Sequence, residues 1–139
     1  MGLIEVLVVL GLIGVAAGGA VPGIHRINQE WALAGGTRMV ESSLLWARTH
    51  AIAVNDWMSF IIEDDGRRFY WIDPDGARYE ASIRHLPAGI RIAKAPGKPL
   101  RFFQHGNAVP AGSFVIEGEA GTYKVVVSAM GRIRVERGK

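Results

Sequence analysis

MGLIEVLVVLGLIGVAAGGAVPGI, residues 1–24, decides how the rest of the chain is read. Residues 6–24 carry no charge. At ~1.5 Å per residue such a run, wound as a helix, is about 28 Å long, close to a bilayer hydrocarbon core of roughly 30 Å. A cleaved secretory signal would open with basic residues. Here no Lys or Arg precedes the run, and Glu5 stands at its start. A generic membrane anchor suits Glu5 badly, because an acid inside the bilayer costs about 2.5–3.5 kcal/mol even on lenient insertion scales. The acid therefore needs a partner. An α-amino group, its own or that of a neighbouring copy, is the nearest candidate.

Gly11, Gly14, Gly18, Gly19 and Pro22 punctuate the same run. Each Gly inside a helix costs about 1 kcal/mol relative to Ala, and an interior Pro about 3. Residues 3–13 are thus strong helix, and residues 14–23 are the weakest part. Small residues also let helices approach closely in apolar surroundings. Close packing and local melting are both expected of Gly14, Gly18, Gly19 and Pro22.

Beyond Pro22 the pattern becomes amphipathic. Ile24, Ile27 and Trp31 keep helical spacing, and Val40, Leu44, Ala47 and Ala51 resume it after Gly35-Gly36. The helix is expected to end near Val54-Asn55-Asp56. From Trp57 the period shortens to that of strands, expected at 57–62, 68–72, 89–93, 100–103, 113–117, 122–128 and 132–137. Glu63-Asp64-Asp65-Gly66 and Asp73-Pro74-Asp75-Gly76 read as turns. Ala95-Pro96-Gly97-Lys98-Pro99 reads as a loop.

The opening Met1-Gly2-Leu3-Ile4-Glu5-Val6-Leu7-Val8-Val9-Leu10 resembles the start of a mature type IV pilin or pseudopilin. In that family a prepilin peptidase cuts a basic leader after a glycine, and the new N-terminus is methylated. The resemblance implies that the chain is shown already processed, with Met1 the methylated residue. Glu5 then falls in the place of the family's assembly glutamate, while Gly2 replaces the usual Thr. LLWARTHAIA (44–53), LPAGIRI (86–92) and YKVVVSAMGRIRV (123–135) resemble the FimT/GspH group, the minor pilins and pseudopilin H proteins.

The implied fold is α+β and type IV pilin-like, a long N-terminal hydrophobic helix packed on a C-terminal antiparallel β-sheet head. Residues 1–24 would be the membrane and filament-core helix. Residues 25–139 would be the head, with an amphipathic helix at 25–54 and a β-rich part at 57–139. The resemblance implies a structural subunit of a type IV pilus-like or type II secretion pseudopilus filament. Before assembly it would sit in a bacterial inner membrane as a single-pass protein with a periplasmic head. Its partners would be copies of itself or other pilins, the inner-membrane assembly machinery and the prepilin peptidase.

No catalytic site is legible. His25, His50, His85 and His105 lack metal-ligand spacing, and there is no cysteine. Asp73-Pro74-Asp75-Gly76 opens like a calcium loop but lacks the remaining ligand series. No metal, cofactor or enzymatic role is expected. The net charge of +3 is local to the C-terminal tail. In a strand, Arg132, Arg134 and Glu136 share one face, with Ile133, Val135 and Arg137 on the other. One reading is an edge strand protected by its charges. The other is a phosphate-binding stripe of Arg132, Arg134, Arg137 and Lys139. Gly131-Arg132-Ile133-Arg134 resembles the GRxR motif through which FimT-type minor pilins bind DNA.

Overall fold

The computed structural model describes residues 2–138, with side chains described for all of these but 20 and 21. One helix, α1 (Leu3–Val54), runs for 52 residues, about 78 Å. It passes through Pro22 without a break and carries the apolar run directly into the amphipathic part. Apolar surroundings favour this continuity, because a helix satisfies its own backbone groups there. The end falls where the sequence places it. Asn55 takes a left-handed conformation (φ 56°), and the Asp56 amide donates to the Ala51 carbonyl at 3.1 Å.

The antiparallel β head expected from the sequence follows, divided between two sheets. The first comprises β1 (Met58–Glu63), β2 (Arg68–Ile72), β3 (Arg84–His85), β5 (Arg101–Phe102) and β6 (Ala108–Val109), in the order β3-β2-β1-β5-β6. The second comprises β4 (Arg91–Lys94), β7 (Gly112–Gly118), β8 (Gly121–Val127) and β9 (Ile133–Arg137), in the order β4-β7-β8-β9. The split follows from the aromatic core. Phe60 of β1 meets Phe114 of β7 edge to face, with centroids 5.2 Å apart at 85°. Phe69, Trp71 and Phe102 complete that cluster from the first sheet, and Ile116, Val125 and Val127 extend it from the second. Burial alternates along β2, β7 and β8, as a half-buried strand requires.

The C-terminal half of α1 lies against both sheets. Leu33, Thr37, Val40, Leu44, Ala47 and Ala51 are buried, a stripe at three- and four-residue spacing. Thr37 satisfies its hydroxyl on the Leu33 carbonyl at 2.8 Å. Gly36 permits close approach, since a Cβ there would stand 2.8 Å from Ile90 Cγ2. Trp71 is fully buried, and its indole N–H donates to Ser43 Oγ at 2.8 Å. That bond ties the first sheet to the helix.

At the β1–β2 turn, Asp64 and Asp65 are both left-handed (φ 56° and 54°), a conformation that short acidic side chains tolerate. Beneath the turn, Glu63 accepts from the Arg68 guanidinium and, at 2.8 Å, from Tyr70 Oη. The Arg68 and Tyr70 hydrogen bonds hold the Glu63 carboxyl below its ordinary 4.5.

Trp71→Ala should destabilise the fold by about 3–5 kcal/mol, as for other buried aromatics, whereas Trp31→Ala should stay within about 0.5. Denaturant unfolding in detergent measures both, and equal losses would contradict this packing. A second expectation follows from Glu63. A carboxyl whose folded pKa is depressed contributes stability above its unfolded pKa, and that contribution fades as pH falls from about 4.5 through the lower folded value. Glu63→Gln should therefore flatten the acid limb of a stability–pH curve. An unchanged limb would show that the pair is immaterial.

Candidate assembly surface

The N-terminal part of α1 is uncovered. Its most apolar window has a mean hydropathy of 2.3, and none of that window is buried. Leu3, Ile4, Leu7, Leu10, Leu12 and Val15 are all exposed, on every side of the helix. A helix that is hydrophobic all round needs an apolar environment, and its length fits a single bilayer crossing. Packing on the head begins only near Gln29, which donates to Glu119, and Leu33 is the first fully buried side chain.

Glu5 lies in the first turn, its amide 3.1 Å from the Gly2 carbonyl oxygen. Gly2 is the N-cap and has no side chain, so the Leu3 and Ile4 amides receive no side-chain cap at the positive end of the helix. That end favours a carboxylate, but only partly offsets its transfer out of water. Met1 lies outside the described residues, so its expected modification has no structural counterpart here. A Cβ placed on Gly11, Gly14, Gly18 or Gly19 would meet nothing within 4 Å. These glycines fill no packing role inside the subunit.

The tail is not one stripe. Cross-strand register pairs Arg137 with Tyr123 and Arg134 with Val126, on opposite faces of the second sheet. Arg137 is exposed on the helix side of the sheet and lines a hollow with Glu30, Leu33 and Thr122. Arg134 turns outward, 2.7 Å from Glu136. Arg132 precedes β9 in a turn, correcting the expectation that it continues the strand. Its carbonyl accepts from Ser128 at 2.9 Å, and its amide donates to Ser128 Oγ at 3.1 Å. Lys139 lies outside the described residues. Lys124 pairs with Glu136 across β8 and β9 and joins Arg134 on the outer face. Only the strand register shows that neighbour, which is why sequence reading missed it.

Gly131 has a structural reason to be glycine. Its φ is +82°, and a Cβ there would overlap the Gly106 carbonyl oxygen. That same oxygen accepts from Arg48 Nε of α1 at 3.0 Å. The start of the GRxR-like segment is thus clamped to the helix through Arg48 and the β5–β6 hairpin.

His50 and Asp73 have local partners. His50 Nε2 lies 2.9 Å from Tyr79 Oη, and its ring stacks on Trp46 at 4.9 Å. The Asp73 side chain accepts from the Ala77 amide at 2.9 Å within its turn. No three metal-ligating side chains converge among the described residues.

No protein-family model matches the sequence. No curated protein matches it by sequence either. In three dimensions the chain is similar to the crystal structure of the type IV minor pilin FimU of Pseudomonas aeruginosa. The TM-score is 0.59 at 22% identity, over 74% of this chain and 91% of that one. It is also similar to the minor pseudopilin EpsH from the type II secretion system of Vibrio cholerae. There the TM-score is 0.56 at 15% identity, over 80% of this chain and 97% of that one. A long N-terminal helix laid across antiparallel sheets, matched over most of the length of these proteins, gives this chain the type IV pilin-like fold.

Proposed function

We propose that the chain is a non-catalytic structural subunit of a type IV pilus-like or type II secretion pseudopilus filament. In this reading the N-terminal helix waits in the inner membrane, with the head in the periplasm, and is later buried among other pilin helices. One observation carries the proposal: a helix apolar on all sides, with nothing of its own head covering it, and one acid in its first turn. Burial of that surface drives association, at roughly 25 cal/mol per Å² of apolar area removed from water. The cytoplasmic energy source and the prepilin peptidase are partners supplied by the assembly system.

Glu5 would pair with the N-terminal amine of a neighbouring subunit, since both charges are otherwise unpaired in an apolar bundle. Gly14, Gly18, Gly19 and Pro22 would let residues 14–23 stretch once other subunits cover them. The helix is regular there in the single chain. Burial in protein tolerates irregular backbone that lipid does not.

A DNA-binding minor pilin is the second reading, favoured by Arg134 and Lys124 on one outer face and by the exposed Arg132 that precedes β9. Arg137 faces away from them, and Glu136 lies among them. The same face is equally a charged edge strand.

Glu5→Ala should leave membrane insertion intact and reduce filament yield. A normal yield of sheared filaments from the variant would sink the pairing. The DNA reading has its own measurement, a titration of labelled duplex at several salt concentrations. Contacts from Lys124, Arg132 and Arg134 would give a log–log slope of about −2.7, at roughly −0.9 per phosphate, and Arg132→Gln with Arg134→Gln should remove about two of them. Absence of salt-sensitive binding in the wild type would leave the charged edge strand.

A further inference from the structure

Ile24, Ile27 and Trp31 extend the apolar character of the N-terminal helix upward, past its last uncharged residue, on a single side of α1. All three are exposed, Trp31 by 75%. Trp31 packs no core, although the three other tryptophans are engaged. Trp71 is buried, Trp46 stacks on His50, and Trp57 holds the Arg101 guanidinium over its ring at 4.3 Å.

The position of Trp31 along the helix is informative. It lies seven residues above Ile24, about 10 Å along the axis. Helical side chains lean toward the N-terminus, so the indole tips back toward the apolar end. That places the ring within the headgroup region that flanks a bilayer core, where tryptophan is enriched because one edge is apolar and the other polar.

Two arginines flank the same level. Arg26 is exposed on α1, and Arg137 is brought beside Glu30 and Leu33 by the return of β9 to the base of the head. Among the described residues Arg137 has no ion pair. Arg26 lies 3.8 Å from Glu30 in an exposed pair that leaves the rest of its guanidinium in the open, and Glu119 accepts from Gln29.

We infer that the base of the head is a lipid-interface seat: Trp31 inserts among the headgroups of the bilayer that holds the N-terminal helix, and Arg26 and Arg137 contact lipid phosphates. The inference rests on the reading of that helix as a membrane span. Lipid is chosen over a second copy of the chain because the stripe is continuous with the span and lies at the interfacial height. The seat fixes how deep the subunit rides before assembly, and it assigns Arg137 to lipid rather than to nucleic acid. Trp31 must leave the headgroups when the subunit is extracted into a filament.

Fluorescence quenching tests this with the full chain in vesicles of phosphatidylcholine and phosphatidylglycerol, carrying phosphatidylcholine brominated near the top of its acyl chains. Trp46 stands about 22 Å above Trp31 along α1, beyond reach of the bromines. Trp31 should therefore supply the quenchable emission, and Trp31→Phe should abolish it. Arg26→Gln with Arg137→Gln should weaken it. Leu10→Trp in the Trp31→Phe background reports on the span itself. Quenching of that reporter, with wild type and Trp31→Phe alike unquenched, would overturn the seat while leaving the membrane span intact. No quenching of the reporter would overturn the span and the seat together. An unchanged signal in the double arginine variant would overturn the phosphate contacts.

Discussion

One helix has to satisfy two surroundings, and the rest of the molecule follows from how it divides them. From Leu33 to Ala51 its apolar stripe is narrow and is covered by two sheets. Over residues 6–24 it carries no charge, and among the described residues of its most apolar window none is covered by the head. A soluble domain could not carry the second half, because exposed apolar surface on that scale drives association. The fold is therefore complete as a head and incomplete as a molecule. In the proposed role its missing contacts come first from lipid and then from other helices.

The two environments make opposite demands on the same residues. Lipid requires a regular helix, because it offers backbone groups no hydrogen bonds. That requirement favours the unbroken course through Pro22. A protein bundle relaxes the demand and adds another, close approach between helices, for which Gly11, Gly14, Gly18 and Gly19 leave open space. Glu5 shows the same opposition. Its carboxylate gains from the positive end of the helix, yet that gain of at most about 2 kcal/mol does not match the transfer penalty. A second partner in an assembled state would supply the remainder.

Much of this was legible in sequence, and the parts that were not share a cause. The uncharged run after Glu5, the helix stop at Asn55 and β2 at Arg68–Ile72 depend on local pattern, and the structure has them where the residues indicate. β3 and β6 have two residues each, too short to show a period. The division into two sheets depends on Phe60 meeting Phe114, a contact between positions far apart in sequence. The tail shows the limit most clearly. Its alternation was readable, but Lys124 beside Arg134 and Arg137 beside Glu30 are set by register and by the return of β9 to the helix.

Gly131 bears on how far a short motif can be trusted. Read as GRxR, the segment suggests phosphate recognition. In the fold its glycine is required by the Gly106 carbonyl, which Arg48 also engages. The first letter of the motif is therefore explained by packing alone, without reference to a ligand. The arginines then divide. Arg132 is fixed by backbone bonds in a turn, Arg134 is paired with Glu136, and Arg137 sits at the opposite face near the foot of the helix. A stripe that binds one polyanion needs its cations on one surface, since each contributes only when it meets a phosphate. Here the strand's own alternation separates them. Whatever polyanion the outer face meets, Arg137 answers to a different surface, the one from which the apolar helix emerges.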